Sequence, residues 1–531
     1  MKKTLILASL LGALSLNAGI IKISSNITSD YAMTSDNTYI LTDVIFVTNG
    51  ATLSIQEGTI IRGEPKSATL YDPGTLVIAR DGQIDAEGSP ANPIIFTTAA
   101  VVDGNGDYDT TIDYSTDVDY TGKTFLDSDP ADSPLTAGVG YTTTAGSTSH
   151  IGTPGGKYSF DSDLGSNEHR GMWGGIIVLG NAPTNCMELF TSTVDGDSGV
   201  ASVLDDPFEG FIEGLDPATY GELGVYGGGN PNDSSGTIKY VRIAHGGTNI
   251  GADNEINGLT MGGVGFGTKL EYVEVYCNND DGFEWFGGTV NSRYLVSLYN
   301  NDDSFDIDEG FTGLGQFWFS LQIDDGQNGD HGGEHDGVNG NMDNLDLGSL
   351  NGVEITGTGD DGIGIPVAYP TIYNATYINS GSGDQSLKFE DSFGCDYYNS
   401  IFVVNSQGRF NDVGSNMANR IAIGDCNYVN NSVVFNSTTV SNNAALNTSL
   451  AGNGNVFTAT NPLNNALGNQ RVNVDPRATS AAPAGVTLAP VSATFFISAS
   501  YAGAFNPQET AMWTDDWTVF DANHALPTAS R

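Results

Sequence analysis

The chain runs to 531 residues, with 19 Lys and Arg against 64 Asp and Glu and a formal net charge of −45. Phosphate recognition needs clustered cations, so this balance excludes a general binder of nucleic acid or of an anionic membrane surface. Hydrophobic residues at 39% and aromatics at 10% exclude a disordered acidic chain, and 69 Gly without a triplet period exclude collagen.

Residues 1–18 read as a secretory signal peptide. Lys2 and Lys3 form a positive start, Leu5 to Leu16 an apolar run, and Ala18 a small residue for cleavage before Gly19. The apolar run is too short for a membrane span of about 20 residues, and no later stretch is apolar enough for one. The expected location is therefore extracellular or at the cell surface. Export puts Cys186, Cys277, Cys395 and Cys426 in a space where disulfides form, with three pairings open.

Residues 19–100 carry short strands punctuated by Gly, among them Ala51–Ile55, Thr59–Ile61, Gly74–Ile78 and Gly82–Ile84. They are read as an N-terminal cap and the first coils of a repeat. Residues 101–170, dense in Asp, Thr, Ser and Gly, read as an excursion from that repeat, and residues 181–235 as a second. The repeat itself is clearest within 171–440. Asn279-Asp280-Asp281-Gly282-Phe283-Glu284 recurs 22 residues later as Asn301-Asp302-Asp303-Ser304-Phe305-Asp306, and Asp324-Asp325-Gly326 stands another 22 on. Strands keep the same step, Leu270-Glu271-Tyr272-Val273 matching Ser292-Arg293-Tyr294-Leu295. Other strands repeat at 32, as Asn399-Ser400-Ile401-Phe402 and Asn431-Ser432-Val433-Val434 do. A period of 22 with ten-residue insertions predicts stacked coils with loops of variable length. The fold expected is all-β, a right-handed parallel β-helix with lateral loop insertions, because each coil must share its apolar interior with its neighbours. Residues 441–531 are read as late coils, lateral loops and a C-terminal cap, which open solenoid ends require.

The strings Trp173-Gly174-Gly175-Ile176-Ile177-Val178-Leu179-Gly180-Asn181-Ala182, Asp280 to Gly288, Asp302 to Gly310 and Trp513 to Phe520 resemble a family of secreted bacterial β-helix proteins of unsettled activity. The resemblance covers most of residues 40–525. It implies the fold and a cell-surface location, and it carries over no catalytic residues.

The acidic repeat is the candidate site. Equivalent positions of successive coils lie about 4.8 Å apart, so Asp280/Asp281, Asp302/Asp303 and Asp324/Asp325 are expected to form a column of carboxylate pairs, extended along the strand by Asp306 and Asp308. Residues 270–330 hold thirteen Asp and Glu and one base, Arg293. Ca²⁺, which takes about six to eight oxygen ligands, is the cofactor such a column calls for. A solvated row of turn residues is the alternative. Asp103, Asn105 and Asp107 resemble the front half of a calcium loop; a flexible acidic insertion is the other reading.

Two functions are open. One is a Ca²⁺-stabilised binding or structural protein whose partners are glycans or other surface proteins. The other is a polysaccharide-degrading hydrolase or lyase with Asp281, Asp302, Asp303 and Arg293 as its catalytic set. Pectin-cleaving β-helix hydrolases are similar in placing Asp residues on successive coils with a His and a basic residue further along. Here Asp324-Asp325 stands where that His is expected, and His331 and His335 lie nearby in a Gly-rich stretch. Trp173, Trp285, Phe286, Tyr299 and Trp318 read either as a sugar-stacking surface or as core.

Overall fold

In the computed structural model, the described residues are 19–66, 73–103, 108–109, 111–126, 170–186, 209–212, 215, 217–248, 256–322, 330–337, 357–358, 364–365, 367–379, 386–391, 393–404, 410–412, 421, 427–435, 441–464 and 475–520. They form a parallel β-helix. A short sheet stacks nine strands in chain order: Val44–Val47, Thr75–Ile78, Ile176–Leu179, Leu259–Gly262, Phe283–Phe286, Phe305–Asp308, Glu334–Asp336, Leu387–Glu390 and Phe410–Asp412. Between each of these and the next, the chain crosses a long sheet as two limbs. In the middle coils the limbs are one bent strand: Gly236–Ala244, Lys269–Tyr276, Asn291–Leu298 and Leu314–Gln322. All neighbours within these two sheets pair in parallel, with Leu270 on Ser292 and Phe283 on Phe305, as the step of 22 requires.

The bend between the limbs is a column of left-handed residues. Tyr240, Tyr272, Tyr294, Phe317, Asn374, Asn399 and Asn431 occupy it with φ of 50°, 56°, 60°, 59°, 57°, 54° and 49°. Asn takes this conformation readily, whereas an aromatic residue does so at a cost of about 1–2 kcal/mol. The aromatics recover that cost by stacking on one another, at centroid distances of 4.4, 4.2 and 4.9 Å down the column.

Strand alternation divides the side chains. Inward residues fill one continuous core, in which Trp173, Trp285 and Trp318 are fully buried and Trp285 stacks on Trp318 at 5.1 Å. Tyr299 and Phe286 are buried as well, so these aromatics are core. Outward residues of the second limb, among them Val296, Leu298, Phe319, Leu321, Ile378 and Val403, are also apolar. They form a second core with Phe505, Met512, Trp517, Val519 and Phe520 of the C-terminal segment, which runs along the flank of the coils. The end of the stack is covered by the helix Ala444–Gly452, capped by the Asn443 side chain and burying Leu446 and Leu450 in the inner core.

Both excursions pack on the outside where they are described. Tyr114, Val118 and Tyr120 cover Ile40, and the Tyr120 hydroxyl donates to buried Glu64 at 2.7 Å. Ile212, Leu215 and Tyr226 cover the outward residues Val77, Ile177 and Leu179 of the short sheet. No helix among the described residues is long and apolar enough to cross a membrane. Cys186, Cys277 and Cys395 are buried, and Cys426 lies outside the described residues.

Candidate metal centre

The acidic turns are built from the end of each long strand. Cys277 and Tyr299, both at positive φ, turn the chain out of the second limb. Asn278 then closes the turn, its Nδ2 donating to the Asp281 carbonyl at 2.8 Å and its backbone N–H to Asn300 Oδ1 at 2.9 Å in the next coil. Gly282 leaves room for this packing, because a Cβ there would lie 2.8 Å from the Ser304 carbonyl oxygen as well as 2.4 Å from Ser297 Oγ. Each turn hands a carboxylate to the coil below. Asp281 Oδ1 accepts the Asp303 N–H at 2.8 Å, and Asp303 Oδ1 accepts the N–H of His331.

The next position corrects the spacing. Ile307 pairs with His335, a step of 28 rather than 22, so Asp330-His331 stands beneath Asp302-Asp303. Asp324 and Asp325 lie outside the described residues, as do Asn105 and Asp107; Asp103 is described and half-buried. A histidine therefore does follow the acidic pairs down the stack. His331 Nδ1 is 3.0 Å from Asp303 Oδ1 and 3.7 Å from Glu334 Oε2. Burial alone would lower its pKa, but Asp303, Asp330 and Glu334 reverse this and push it up to about 9. His335 points into the core, hydrogen-bonded to the Tyr397 hydroxyl at 2.8 Å, and burial pulls it down to about 4.

Beyond the turns, the outward face of the short sheet changes character. Upstream it is apolar and covered. Downstream, the register aligns Glu284, Asp306, Glu334 and Lys388 in one column, and Asp308, Asp336 and Glu390 in the next. Carboxylate oxygens of Asp281, Glu284 and Asp306 lie within 4.8 Å of one another, and so do those of Asp280, Asp281 and Asp302. Burial and then mutual repulsion raise the Asp281 and Asp306 carboxyls well above the usual range. The same causes push Asp308 up to about 8 and Asp336 to about 10. Asp302, the exposed member, is pushed to about 7 by desolvation and by Asp303 and Asp330.

Two halves of this array differ in how charge is met. The downstream half holds its own cations: Lys388 pairs with Glu334 and, at 3.2 Å, with Glu390, while His331 pairs with Asp303. In the upstream half neither Asp281 nor Asp306 forms an ion pair with Lys or Arg among the described residues. Asp306 Oδ1 is buried without a hydrogen-bond partner, as is Oδ1 of Asn257, whose Nδ2 donates to Glu284. Carboxylates and an amide carbonyl are hard oxygen donors, the set that Ca²⁺ takes and Zn²⁺ rarely does. The residues present fit a hard divalent cation at Asp281, Glu284 and Asp306.

Arg293 does not belong to this site. It lies on the first limb of the long sheet, paired with Glu271 and stacked 4.9 Å from the Phe495 ring centroid. Arg170, by contrast, reaches the acidic turns, donating to the Tyr299 carbonyl at 2.8 Å. Glu284 stands in the recurring string opposite Asp306, whereas Glu334, Asp336, Lys388 and Glu390 are members that the spacing of acidic pairs does not reveal. Their shared signal is polar–apolar–polar alternation within a strand, as in Glu334-His335-Asp336 and Lys388-Phe389-Glu390, scattered at unequal steps.

A family model described as a pectate-lyase-like β-helix domain matches residues 25–112 and 217–518. No curated protein and no solved structure matches the chain.

Proposed function

Because this chain belongs to the pectate-lyase-like β-helix family, we propose that it is a secreted or surface-exposed carbohydrate-engaging β-helix that holds Ca²⁺ on the outward face of its short sheet. One observation carries this reading: three carboxylates of Asp281, Glu284 and Asp306 within 4.8 Å, two of them without a Lys or Arg partner among the described residues. Two unit charges at that distance repel by about 3–4 kcal/mol at an effective dielectric of 20. Protons relieve the repulsion at low pH, and a divalent cation relieves it at neutral pH. Ca²⁺ bound there would offset most of the site's charge and offer its remaining coordination positions to sugar hydroxyl or carboxylate oxygens. The protein's own part is to fix the oxygens by strand register, while His331 and Lys388 meet the charge of the neighbouring Asp303, Glu334 and Glu390. Export rests on Lys2, Lys3 and the apolar run before Ala18.

Calcium titration of metal-stripped protein by calorimetry tests the proposal. Wild type is expected to bind, and Asp281→Asn with Asp306→Asn to lose that binding; equal titrations would refute it. Glycan-array binding with and without Ca²⁺ then tests the partner.

A second reading is favoured by Asp302. An exposed carboxyl pushed to about 7 retains its proton near neutrality, as a general acid must. The oxygens of Asp280, Asp281 and Asp302 lie within 4.8 Å, close to the separation of about 5–5.5 Å used by retaining glycosidases and short of the roughly 6.5–9.5 Å used by inverting ones. If the protein cleaves glycans, this separation predicts retention of anomeric configuration, with Asp302 as the acid. Loss of reducing-end release in Asp302→Asn would support cleavage; absence of any release from wild type would leave calcium-dependent binding as the function.

A further inference from the structure

The corner column of the long sheet meets the C-terminal segment in an unusual chemical pattern. Asn399 meets Ala489 twice: its Nδ2 donates to the Ala489 carbonyl at 2.9 Å, and its Oδ1 accepts the Ala489 N–H at 2.7 Å. Gln316, one residue before the corner, repeats the arrangement on Ile497 at 2.8 and 2.7 Å. Asn374 donates to the Tyr501 carbonyl at 2.7 Å and Asn431 to the Thr487 carbonyl at 2.8 Å. The Tyr373 hydroxyl reaches the Pro490 carbonyl at 3.1 Å, and Thr376 Oγ1 accepts the Ala504 N–H at 2.8 Å. Every one of these bonds ends on main chain. None of residues 487–520 lies in a β-strand, so side-chain amides and hydroxyls, with one main-chain bond from the Gly503 N–H to the Asn399 carbonyl at 2.8 Å, stand in for the ladder that a sheet edge would provide.

The far end of the segment is anchored differently. Trp513 and Trp517 set their edges against the stacked tyrosines, Trp513 at 5.2 Å from Tyr294 and Trp517 at 5.6 Å from Tyr240. The Val519 N–H then reaches both oxygens of Glu274, at 2.9 and 3.1 Å, and Arg242 Nε holds that carboxylate at 3.1 Å. Glu274 is fully buried by these contacts. From Asn431 to Tyr240 the segment spans seven coils, each contributing one corner residue.

We infer that the corner column is a main-chain-reading peptide groove and that residues 487–520 are its ligand in cis, a clasp held by the spacing of its N–H and C=O groups rather than by its side chains at the amide-read positions. Ile497 fits this account: Gln316 reads both its main-chain groups, while its side chain is 41% exposed. A strand would have fixed the clasp by a continuous ladder. Discrete amide contacts at successive coils instead let it separate without opening the solenoid sheets. What separation uncovers is the apolar outer face of Phe319, Leu321 and Val403.

The test uses the full chain with a protease site introduced between residues 464 and 475 and cut after folding. The cut segment is expected to co-elute with the solenoid on size exclusion. Ile497→Pro, which removes one N–H from the clasp and leaves the solenoid untouched, is expected to release it at least tenfold faster. Ile497→Lys is expected to leave release within twofold of wild type. Lys as damaging as Pro, or Pro without effect, would overturn main-chain reading. Hydrogen exchange on the uncut wild-type chain reads the same bonds without substitution: slow exchange at Ala489, Ile497 and Val519 is expected, and exchange at the unprotected rate contradicts the clasp.

Discussion

Removing a carboxylate from the upstream half of the array should stabilise the calcium-free protein and abolish its response to calcium. Asp306 is the residue to change, because its oxygen is within 4.8 Å of Asp281 and of Glu284 and its Oδ1 is buried without a hydrogen-bond partner. Asp306→Asn keeps the shape and removes two of the three pairwise repulsions, each about 3–4 kcal/mol at an effective dielectric of 20 when both groups are ionised. Protonation already relieves part of this in the wild type, since burial and repulsion raise both Asp281 and Asp306. The net gain expected in chelator at pH 8 is therefore on the order of 1–3 kcal/mol. Calcium stabilises the wild type by another route, adding about 2.7 kcal/mol when free ion is 100 times its dissociation constant. Thermal melts of both proteins, in excess chelator and in millimolar Ca²⁺, give four midpoints. The wild type should melt below the variant in chelator and gain several degrees with calcium, while the variant moves little. A variant less stable than wild type in chelator would mean that Asp306 makes a favourable contact of its own, and the repulsion argument would fail.

The remaining predictions follow from the same geometry. In chelator, stability should fall as pH rises from about 4 to about 8. Asp302 at about 7 and Asp308 at about 8 bind protons more tightly folded than unfolded, so their contribution is complete below the unfolded pKa and is lost through the folded one. Melting curves across that range check this, and a stability that rises with pH would contradict it. Calcium binding at pH 6 should release protons, measurable by calorimetry in buffers of different ionisation enthalpy. Trp285→Ala should cost about 3–5 kcal/mol by chemical denaturation, since Trp285 is fully buried and stacked on Trp318. Arg293→Ala should leave calcium affinity unchanged, because Arg293 lies on the other sheet with Glu271.

Much of this architecture was legible in the residues. The step of 22 between Asp280-Asp281 and Asp302-Asp303 persists because both coils turn on the same short motif, so equal loop lengths leave an audible period. The next step is 28, and from Glu334 to Lys388 it is 54. Sequence spacing counts loop residues, whereas register counts only strand residues, so the longer loops hid His331 and Lys388 and pointed to Asp324-Asp325 instead. Arg293 misled for a related reason: it is near the acidic turns in sequence, but half a coil separates the two sheets. The corner column was illegible for another cause. Asn at positive φ has a recognisable preference, while Tyr240, Tyr272 and Tyr294 adopt that conformation only because stacking and the Trp513–Trp517 contacts compensate them, and neither is local in sequence. The outer core was equally hidden, since an apolar residue facing outward on a strand cannot be told from one facing inward until the segment that covers it is placed.

The most direct test of the account is a crystal structure of the protein grown in CaCl₂, with anomalous differences collected at long wavelength. An anomalous peak coordinated by carboxylate oxygens of Asp281, Glu284 and Asp306 is expected, absent from crystals of Asp306→Asn grown in the same solution. Well-ordered carboxylates at these three positions with no peak between them would contradict it.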